Sequence, residues 1–478
     1  MAFKPVVGEI YHSEEYTMSV ITTLELKERL AELQGETVTL HGWIRNHRKQ
    51  KNMGFIDFFD GACFKNPQVV YDNNIEGFED IQALRVGSAI TVTGKVVPSY
   101  KDPTTPEVQA TAIVLEGDCP EDYPLQPKRH TIEFLREIAY LRPRTRLFQA
   151  VFRVRSVASM AIHTYFQDRG YVYVHTPLIT GNDAEGAGNT FTVTTLDPKD
   201  AGKWDQDFFG KQASLAVTGQ LEGETFAMAF SKIYTFGPTF RAENSNTKTH
   251  AAEFWMIEPE IAFCDLDQLM DVEEDFLKYL VKTVLEKCPD ELAFLDTFAA
   301  GGKGKSGLVE KLEALADAKC ARITHDEAIT ILKAANRDWQ FKPEYGQDTA
   351  KEHEKYLTEE YFHGPVFVYN WPRDIKAFYM YQNDDEKTVA AVDLLVPGSG
   401  ELMGGSQRET RVGKLLERMD TLGISTESLD WYVNLRKFGG CTHAGFGMGF
   451  ERLLMYLTGI ENIRDVIPYA RTPMNCEY

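Results

Sequence analysis

Cysteine is scarce in this chain and follows no pattern: there are seven in 478 residues, with no C-x-x-C pair. Such a set neither frames a disulfide scaffold nor supplies the paired thiolates of a structural zinc site. Long hydrophobic runs are missing too. No window approaches the roughly 20 uncharged apolar residues of a bilayer crossing, so no integral membrane protein is expected. The first residues, MAFKPVVGEIYHSEEY, carry charges where a signal peptide has its apolar core. A secretion signal is therefore not expected, and the reducing cytosol is the expected compartment. Positive charge is the minority sign: 51 Lys plus Arg against 71 Asp plus Glu, a formal net charge of -20. That excludes a protein whose whole surface grips nucleic acid, but it allows a local basic groove. With 43% hydrophobic and 26% charged residues the composition is otherwise ordinary for a globular protein. The length suggests about three domains.

Residues 24–118 read as short strands with turns. VTLHGWIRNHR, MGFIDFFDG, PQVVYDN, GSAITVTGKVV and EVQATAIVLEG carry β-branched and aromatic residues with partial alternation. Five such strands suit a small closed barrel of the oligonucleotide-binding (OB) type, whose strand face takes single-stranded nucleic acid. A helix is predicted over TTLELKERLAELQG, stopping at Gly35. GDCPEDYPLQP, with three prolines, marks a connector, placed within 119–140. An α+β region follows over 141–478, with a charged helical insertion at about 290–355. Its first helix is predicted from Phe148 to Gly170, leading into a strand YVYVHTPLIT. KIYTFGPTFRAE, FWMIEPEIAF, PVFVYNW, KAFYMYQ and TVAAVDLLVP then read as strands. Because they come as a run, not alternating with helices, an antiparallel sheet with flanking helices is expected.

Two glycine-rich stretches are decoys. GGKGKS at 301–306 lacks the earlier glycine of a phosphate-cradling loop, where Ala299 stands, and reads as a surface loop. GFGMGF at 445–450 matches a dinucleotide fingerprint only loosely. The lone His163 and His175 are expected to pack or hydrogen-bond rather than bind metal. Three other segments share a theme, an arginine beside glycines and carboxylates. In TFGPTFRAENSNTKTHAAEFWMIEPEIAF two strands pair around a polar loop, placing Arg241 near Glu243, with Glu253 and Phe254 on the return. A guanidinium there holds a phosphate and a phenyl face takes a purine. In VDLLVPGSGELMGGSQRET, Asp393 and Glu401 flank a Pro-Gly turn and offer hard oxygens to magnesium, with Arg408 further on. In HAGFGMGFERLLMYLTG, Arg452 opens an apolar helix that ends at Gly459.

FRAE followed by AEFWMIEPE resembles motif 2 of the class II aminoacyl-tRNA synthetases. GFGMGFERLL resembles their motif 3, and the long helix leading into VYVHTPLIT resembles motif 1, with Pro177 in its place. Barrel plus core is similar to the aspartyl, asparaginyl and lysyl subgroup. EGAGNTF, TGQLEGETFA, IKAFYM, GGSQRE and DVIPYARTP resemble its asparaginyl branch of bacterial type. The likeness covers nearly the whole chain, least over 1–20.

The resemblance implies activation of L-asparagine by ATP and transfer to tRNA(Asn). In its terms Arg241 holds the α-phosphate and substrate carboxylate, Arg452 the γ-phosphate, and Phe254 stacks on adenine. Glu243 and His250 belong to the same nucleotide site, and Asp393 and Glu401 place Mg²⁺. The catalytic set is then Arg241, Arg452 and Glu401, charge neutralisation replacing any nucleophile. Asparagine lies among Glu185, Gln220, Glu224 and Arg408, with Glu185 at the α-ammonium group. Aspartyl relatives have a lysine where this chain has Gly223; Glu224, expected to lack a cation beside it, accepts from the amide and repels aspartate. The motif 2 loop reads Lys248-Thr249-His250 where bacterial relatives carry Arg-His. Phe55 and Gln68 resemble anticodon contacts, with Arg45, Arg48, Lys49 and Lys51 as a phosphate patch; barrel core is the alternative place for Phe55. Motif 1 implies a homodimer. The rival functions are aspartyl or dual specificity, a tRNA-independent amide synthetase, and a non-catalytic tRNA-binding protein.

Overall fold

A computed structural model describes residues 20–182 and 190–478. The expected N-terminal extension 1–23 thus falls almost wholly outside the described residues, and Glu185 falls outside them too. The chain divides into two compact units, one up to Gln149 and the other from Ala150 onward. No described helix is long and apolar enough to cross a membrane.

In the first unit, β1 (Thr37–Lys49), β2 (Met53–Phe59), β3 (Gln68–Asp72), β4 (Ala89–Pro98) and β5 (Pro106–Gly117) close into a barrel in the order β1-β2-β3-β5-β4. Alternation drives the closure: Val38, Leu40, Ile44, Ile56, Phe58, Val69, Ile90, Val92, Val96 and Val108 all point inward and are buried. The opposite face of each strand stays wet. The single helix expected before β1 is instead two, α1 (Thr23–Glu28) and α2 (Leu30–Leu33), broken at Arg29. Its ends are tied to different partners, Thr23 N to the Asp60 carboxylate (2.7 Å) and Gly35 N to Val96 O (2.8 Å). Two further short helices are α3 (Phe78–Ala83) and α4 (Ile132–Glu137).

The second unit is built on one eight-stranded sheet. Its strands are β6 (Val172–Tyr173), β10 (Lys232–Phe240), β11 (Glu253–Ala262), β12 (Ala321–Thr324), β13 (Val366–Pro372), β14 (Thr388–Val396), β15 (Gly400–Gln407) and β16 (His443–Gly449). They run β12-β13-β14-β15-β16-β11-β10-β6. The six central strands are antiparallel, as expected, while β12 and β6 add parallel edges. A small second sheet, order β7-β9-β8, joins β7 (Ile179–Thr180), β8 (Thr192–Val193) and β9 (Ala213–Leu215). Helices α5 (Arg146–Asp168), α6 (Gln220–Phe230), α7 (Leu266–Lys287), α8 (Pro289–Ala299), α9 (Leu308–Asp317), α10 (His325–Ala334), α11 (Lys351–Lys355), α12 (Val412–Thr421), α13 (Asp430–Lys437) and α14 (Phe450–Thr458) complete it. Helix α6 lies on β10 and β11, and α7 lies across β14, β15 and β16.

Four sequence expectations change. YVYVHTPLIT keeps only β6 and β7, since Pro177 between them offers no N–H to a ladder. KAFYMYQ is a turn touching the sheet through two isolated bridges; Phe378 is withdrawn into a core with Leu415 and Tyr432. The charged stretch at 290–355 is not only helical, because ARIT within it forms β12. Of the two histidines, His163 meets Tyr234 Oη at 2.8 Å as expected, but His175 is exposed. GGKGKS is the α8–α9 loop, with Asp296 accepting from Ser306 N (2.8 Å) and Leu308 N (2.9 Å).

Gly54 in β2 faces the barrel interior, where an added methyl would run into the Tyr71 ring. Gly54→Ala is expected to cost about 1–3 kcal/mol of stability. Urea unfolding checks it, and an unchanged transition would show that Tyr71 yields freely.

Candidate active site

The β10–β11 hairpin sets out the site. Antiparallel pairing puts Thr239 opposite Phe254 and Phe240 opposite Glu253, and Arg241 N donates to Ala252 O at 2.9 Å. Arg241 therefore leaves β10 with its guanidinium 5.5 Å over the Phe254 ring. Period-two alternation then carries Phe254, Met256, Glu258 and Glu260 along one face of β11. An open cavity over this face is lined by Arg241, Glu243, His250, Phe254, Glu401 and Arg452. A second cavity shares Arg241, Met256, Glu401 and Gly447 with it and runs on to Gln220, Glu258, Glu260, Tyr379, Asp393 and Arg408. The structure thus brings every described nucleotide and metal candidate, with Gln220 and Arg408, around one continuous hollow.

Asp393 on β14 and Glu401 on β15 face each other across Gly404. A side chain there would lie 3.3 Å from an oxygen of each. Lys376 Nζ holds the other Asp393 oxygen at 3.0 Å. Burial pushes Asp393 up to about 6, with Lys376 opposing and Glu401 and Glu354 adding to it. Two crowded carboxylates fit a hard divalent cation that also binds substrate phosphates, as magnesium usually does. No described group of three or more ligating side chains is assembled for a metal.

Glu224 differs from expectation. It is fully buried on α6, and it is far from lacking a cation. Arg436 Nη2 donates to it at 2.6 Å, His443 Nε2 lies at 2.9 Å, and Tyr432 Oη and Gln220 Nε2 donate at 2.8 and 3.1 Å. Burial alone would raise its pKa, but Arg436, His443 and Arg408 overcome that and hold it below the usual carboxylate range. Its carboxylate does not line the hollow. Arg408 is claimed by Glu260, Nε to Oε2 at 3.2 Å and Nη2 to Oε1 at 2.5 Å, while Nη1 donates to Ser406 Oγ at 2.8 Å. Glu258 accepts from Gly219 N (2.9 Å) and Thr235 Oγ1 (3.1 Å), and burial raises it.

The family description "tRNA synthetases class II (D, K and N)" matches residues 131–473, and "OB-fold nucleic acid binding domain" matches 38–116. An asparagine–tRNA ligase of Acholeplasma laidlawii is 57% identical over 455 residues, spanning 93% of this chain and 97% of the relative. One from Alkaliphilus oremlandii is 52% identical over 96% of this chain and all of its own length. The crystal structure of asparaginyl-tRNA synthetase from Pyrococcus horikoshii complexed with asparaginyl-adenylate superposes with a TM-score of 0.84 at 30% identity, covering 97% of this chain and 100% of that one. The chain belongs to the asparagine–tRNA ligases of class II.

Elsewhere the synthetase sorts its candidates unevenly. On the barrel, Phe55 is half-buried on the face opposite the buried Ile56 and Phe58, so it is not core. Arg48 stacks 5.1 Å over its ring and donates to Gln68 Oε1 at 2.8 Å. Arg45 lies apart from them, at the β1 bulge, over Phe59 (4.4 Å) and donating to Gln149 Oε1 (2.5 Å). Burial lowers its pKa to about 10. In the motif 2 loop Lys248 turns to Glu461 (3.0 Å) instead of the hollow, which Thr249 and His250 line. Ile463 N also donates to Lys248 O (2.8 Å), and Arg464 Nη2 to Asn246 Oδ1 (2.8 Å).

Sequence reasoning missed Glu258 and Glu260, although two acids at inward positions of an apolar strand were the available signal. It also missed Lys376, Arg436 and His443. Arg436→Gln removes the strongest partner of a buried carboxylate and is expected to cost about 3 kcal/mol or more. Chemical denaturation measures it; a loss under about 1 kcal/mol would mean that Tyr432 and His443 suffice.

Proposed function

We propose that this chain joins L-asparagine to tRNA(Asn) in two steps. The asparagine carboxylate attacks the α-phosphorus of ATP; a new O–P bond forms, the α–β bridge breaks, and diphosphate leaves. The 3′-terminal ribose hydroxyl of the tRNA then attacks the activated carbonyl, its proton passes to solvent, an ester forms and AMP departs. Neither step needs a protein nucleophile. Each needs negative charge balanced and atoms aligned, which a positive rim over an aromatic floor supplies. The observation that carries this reading is the single hollow joining Arg241, Phe254, Glu401 and Arg452 to Gln220 and Arg408.

Arg241 holds the α-phosphate and the substrate carboxylate, Arg452 the γ-phosphate, and Phe254 takes the adenine face, with Glu243 and His250 beside it. Asp393 and Glu401 would hold Mg²⁺, which when bound supplies positive charge to phosphate oxygens. Gln220 and Arg408 hold the asparagine end; Glu185 at the α-ammonium group stays part of the reading. On the barrel, Phe55 stacks an anticodon base and Gln68 reads a base edge, with Arg48 against both. Arg45 and the neighbouring lysines serve tRNA phosphates. The barrel covers 24–118 and the catalytic region 141–478. A homodimer pairs through motif 1: β6 is the edge strand of the large sheet, and Val172, Tyr173 and Trp255 are exposed near it. The cytosol is the proposed compartment.

The rivals lose ground on the same residues. A tRNA-independent synthetase has no use for the barrel, and a decayed tRNA binder would not keep three phosphate and metal groups around one hollow. ATP–diphosphate exchange with asparagine and with aspartate, followed by charging of purified tRNA, tests the whole reading. Arg241→Ala is expected to lower asparagine-dependent exchange by about 10²–10³-fold. Phe55→Ala is expected to leave exchange intact while weakening charging by about 1–3 kcal/mol, seen as a higher KM for tRNA. Equal loss of both activities in the barrel variant would sink the division of labour.

A further inference from the structure

Glu401 sits where strand pairing alone does not fix a side chain. It is the second residue of β15, directly after a turn in which Gly398 and Gly400 both have positive φ (82° and 79°). The ladder with β14 slips there as well: Leu395 faces Glu401 and Leu394 faces Met403, so β15 carries an extra residue. A bulge of this kind disrupts the ladder locally and turns side chains off the regular alternation. The aim of Glu401 therefore needs an anchor from outside the sheet.

The charged insertion supplies one. Glu354, a buried residue of α11, accepts from Glu401 N at 3.2 Å through Oε2, and Glu359 Oε1 accepts from Gly398 N at 3.0 Å. Lys351 Nζ donates to the same Glu354 oxygen at 2.8 Å. A methyl on Gly400 would strike that oxygen, so the carboxylate reaches Glu401 only because Gly400 lacks one. Two acids five residues apart do not share a face of an α-helix, where neighbours on one side lie three or four apart. Here α11 runs on into a π-helical turn, Tyr356–Tyr361, after which Phe362 N donates to Leu357 O (2.9 Å), five residues back. The wider turn swings Glu359 round toward the side of Glu354, and such turns gather at functional sites. Thr358 Oγ1, donating to Glu354 O at 2.8 Å, sits where the helix widens.

We propose that Glu354 is a positioning residue for Glu401: with Glu359 it clamps the β14–β15 turn by its backbone N–H groups and so holds the Glu401 carboxylate opposite Asp393 across Gly404. The proposal rests on the reading of Glu401 as a group facing metal and phosphate, and deepens it by giving the insertion a task. Glu354 and Glu359 do not line the hollow, so they act through the main chain of the turn and not on substrate. A carboxylate accepting from a backbone N–H makes a charge-assisted bond, about twice as strong as a neutral one. Outer partners of metal-facing groups change metal affinity or activity by about 10–100-fold when removed. A rival account is electrostatic: a third acid behind Asp393 and Glu401 attracts a cation by its field alone. Conservative variants separate the two, because Glu354→Gln keeps an acceptor oxygen without the charge, while Glu354→Asp keeps the charge but falls a methylene short.

The test measures Mn²⁺ binding to the full-length enzyme saturated with ATP, by water-proton relaxation, beside ATP–diphosphate exchange with asparagine. Glu354→Ala is expected to weaken Mn²⁺ binding about tenfold or more and to lower kcat of exchange by a similar factor. KM for asparagine is expected to stay unchanged, since Gln220 and Arg408 are untouched. Glu354→Asp is expected to follow Glu354→Ala, and Glu354→Gln to recover most of the loss. A Glu354→Ala enzyme that loses stability toward urea but keeps its Mn²⁺ binding overturns the proposal. So does a Glu354→Gln enzyme as impaired as Glu354→Ala, since the charge and not the hydrogen bond would then be the cause. Should Glu354→Ala fail to fold, recovery by Glu354→Gln with loss in Glu354→Asp supports the proposal, and any other order overturns it. If the unaltered enzyme holds no Mn²⁺ with ATP, the metal reading of Asp393 and Glu401 fails instead. If it holds Mn²⁺ but shows no asparagine-dependent exchange, the ligase reading fails, and the binding measurements still decide the clamp.

Discussion

A carboxylate and a guanidinium taken out of water together close the deep end of the hollow. Glu260 and Arg408 are almost wholly inaccessible, and so are Glu224 and Arg436 behind them. Stripping water from each such ion costs several kcal/mol, and attraction between partners returns that only where every remaining donor and acceptor is used. Glu224 meets the condition with Arg436, Tyr432, Gln220 and His443, while at the hollow Arg408 adds a bond to Ser406. A core of leucines would be cheaper to fold. What the charges provide is a fixed arrangement of donors and acceptors, which an apolar wall cannot supply to a substrate differing from its rival by NH₂ against O⁻.

That cluster exists because β15 and β16 are strands with almost no side chains at the decisive points. A methyl at Gly445 would occupy the place of the Glu260 carboxylate. One at Gly405 would meet Glu273, a fully buried acid of α7 that burial pushes well above the usual carboxylate range. Gly404 leaves the space between Asp393 and Glu401 open. These carboxylates come from β11, α7, β14 and β15, and the missing side chains of the middle strands make room for them.

The same glycines explain where the sequence was hard to read. Strands β15 and β16 carry too little apolar alternation to announce themselves, so their glycines looked like turn and fingerprint residues. The β10–β11 hairpin and α5 were legible because their periods of 2 and 3.6 are filled with large apolar side chains. KAFYMYQ has strand-like alternation, yet Phe378 serves a separate core below the chain. Glu224 was recognisable as a site residue but not in its surroundings, since Arg436 lies 212 positions away on a helix with an ordinary amphipathic pattern. Arg241, Phe254, Glu401 and Arg452, which line one cavity, were the most legible group, because their types carry a chemistry and the hairpin sets the spacing of the first two.

The motif 2 loop, finally, is not a free flap. Lys248 and Asn246 are fastened to Glu461, Ile463 and Arg464, while Ala252 N donates to Arg471 O. The exposed ion pair contributes little, but the backbone bonds at Ile463 and Arg471 are short-range and directional. Lifting this loop would break those bonds, so residues 461–471 brace it.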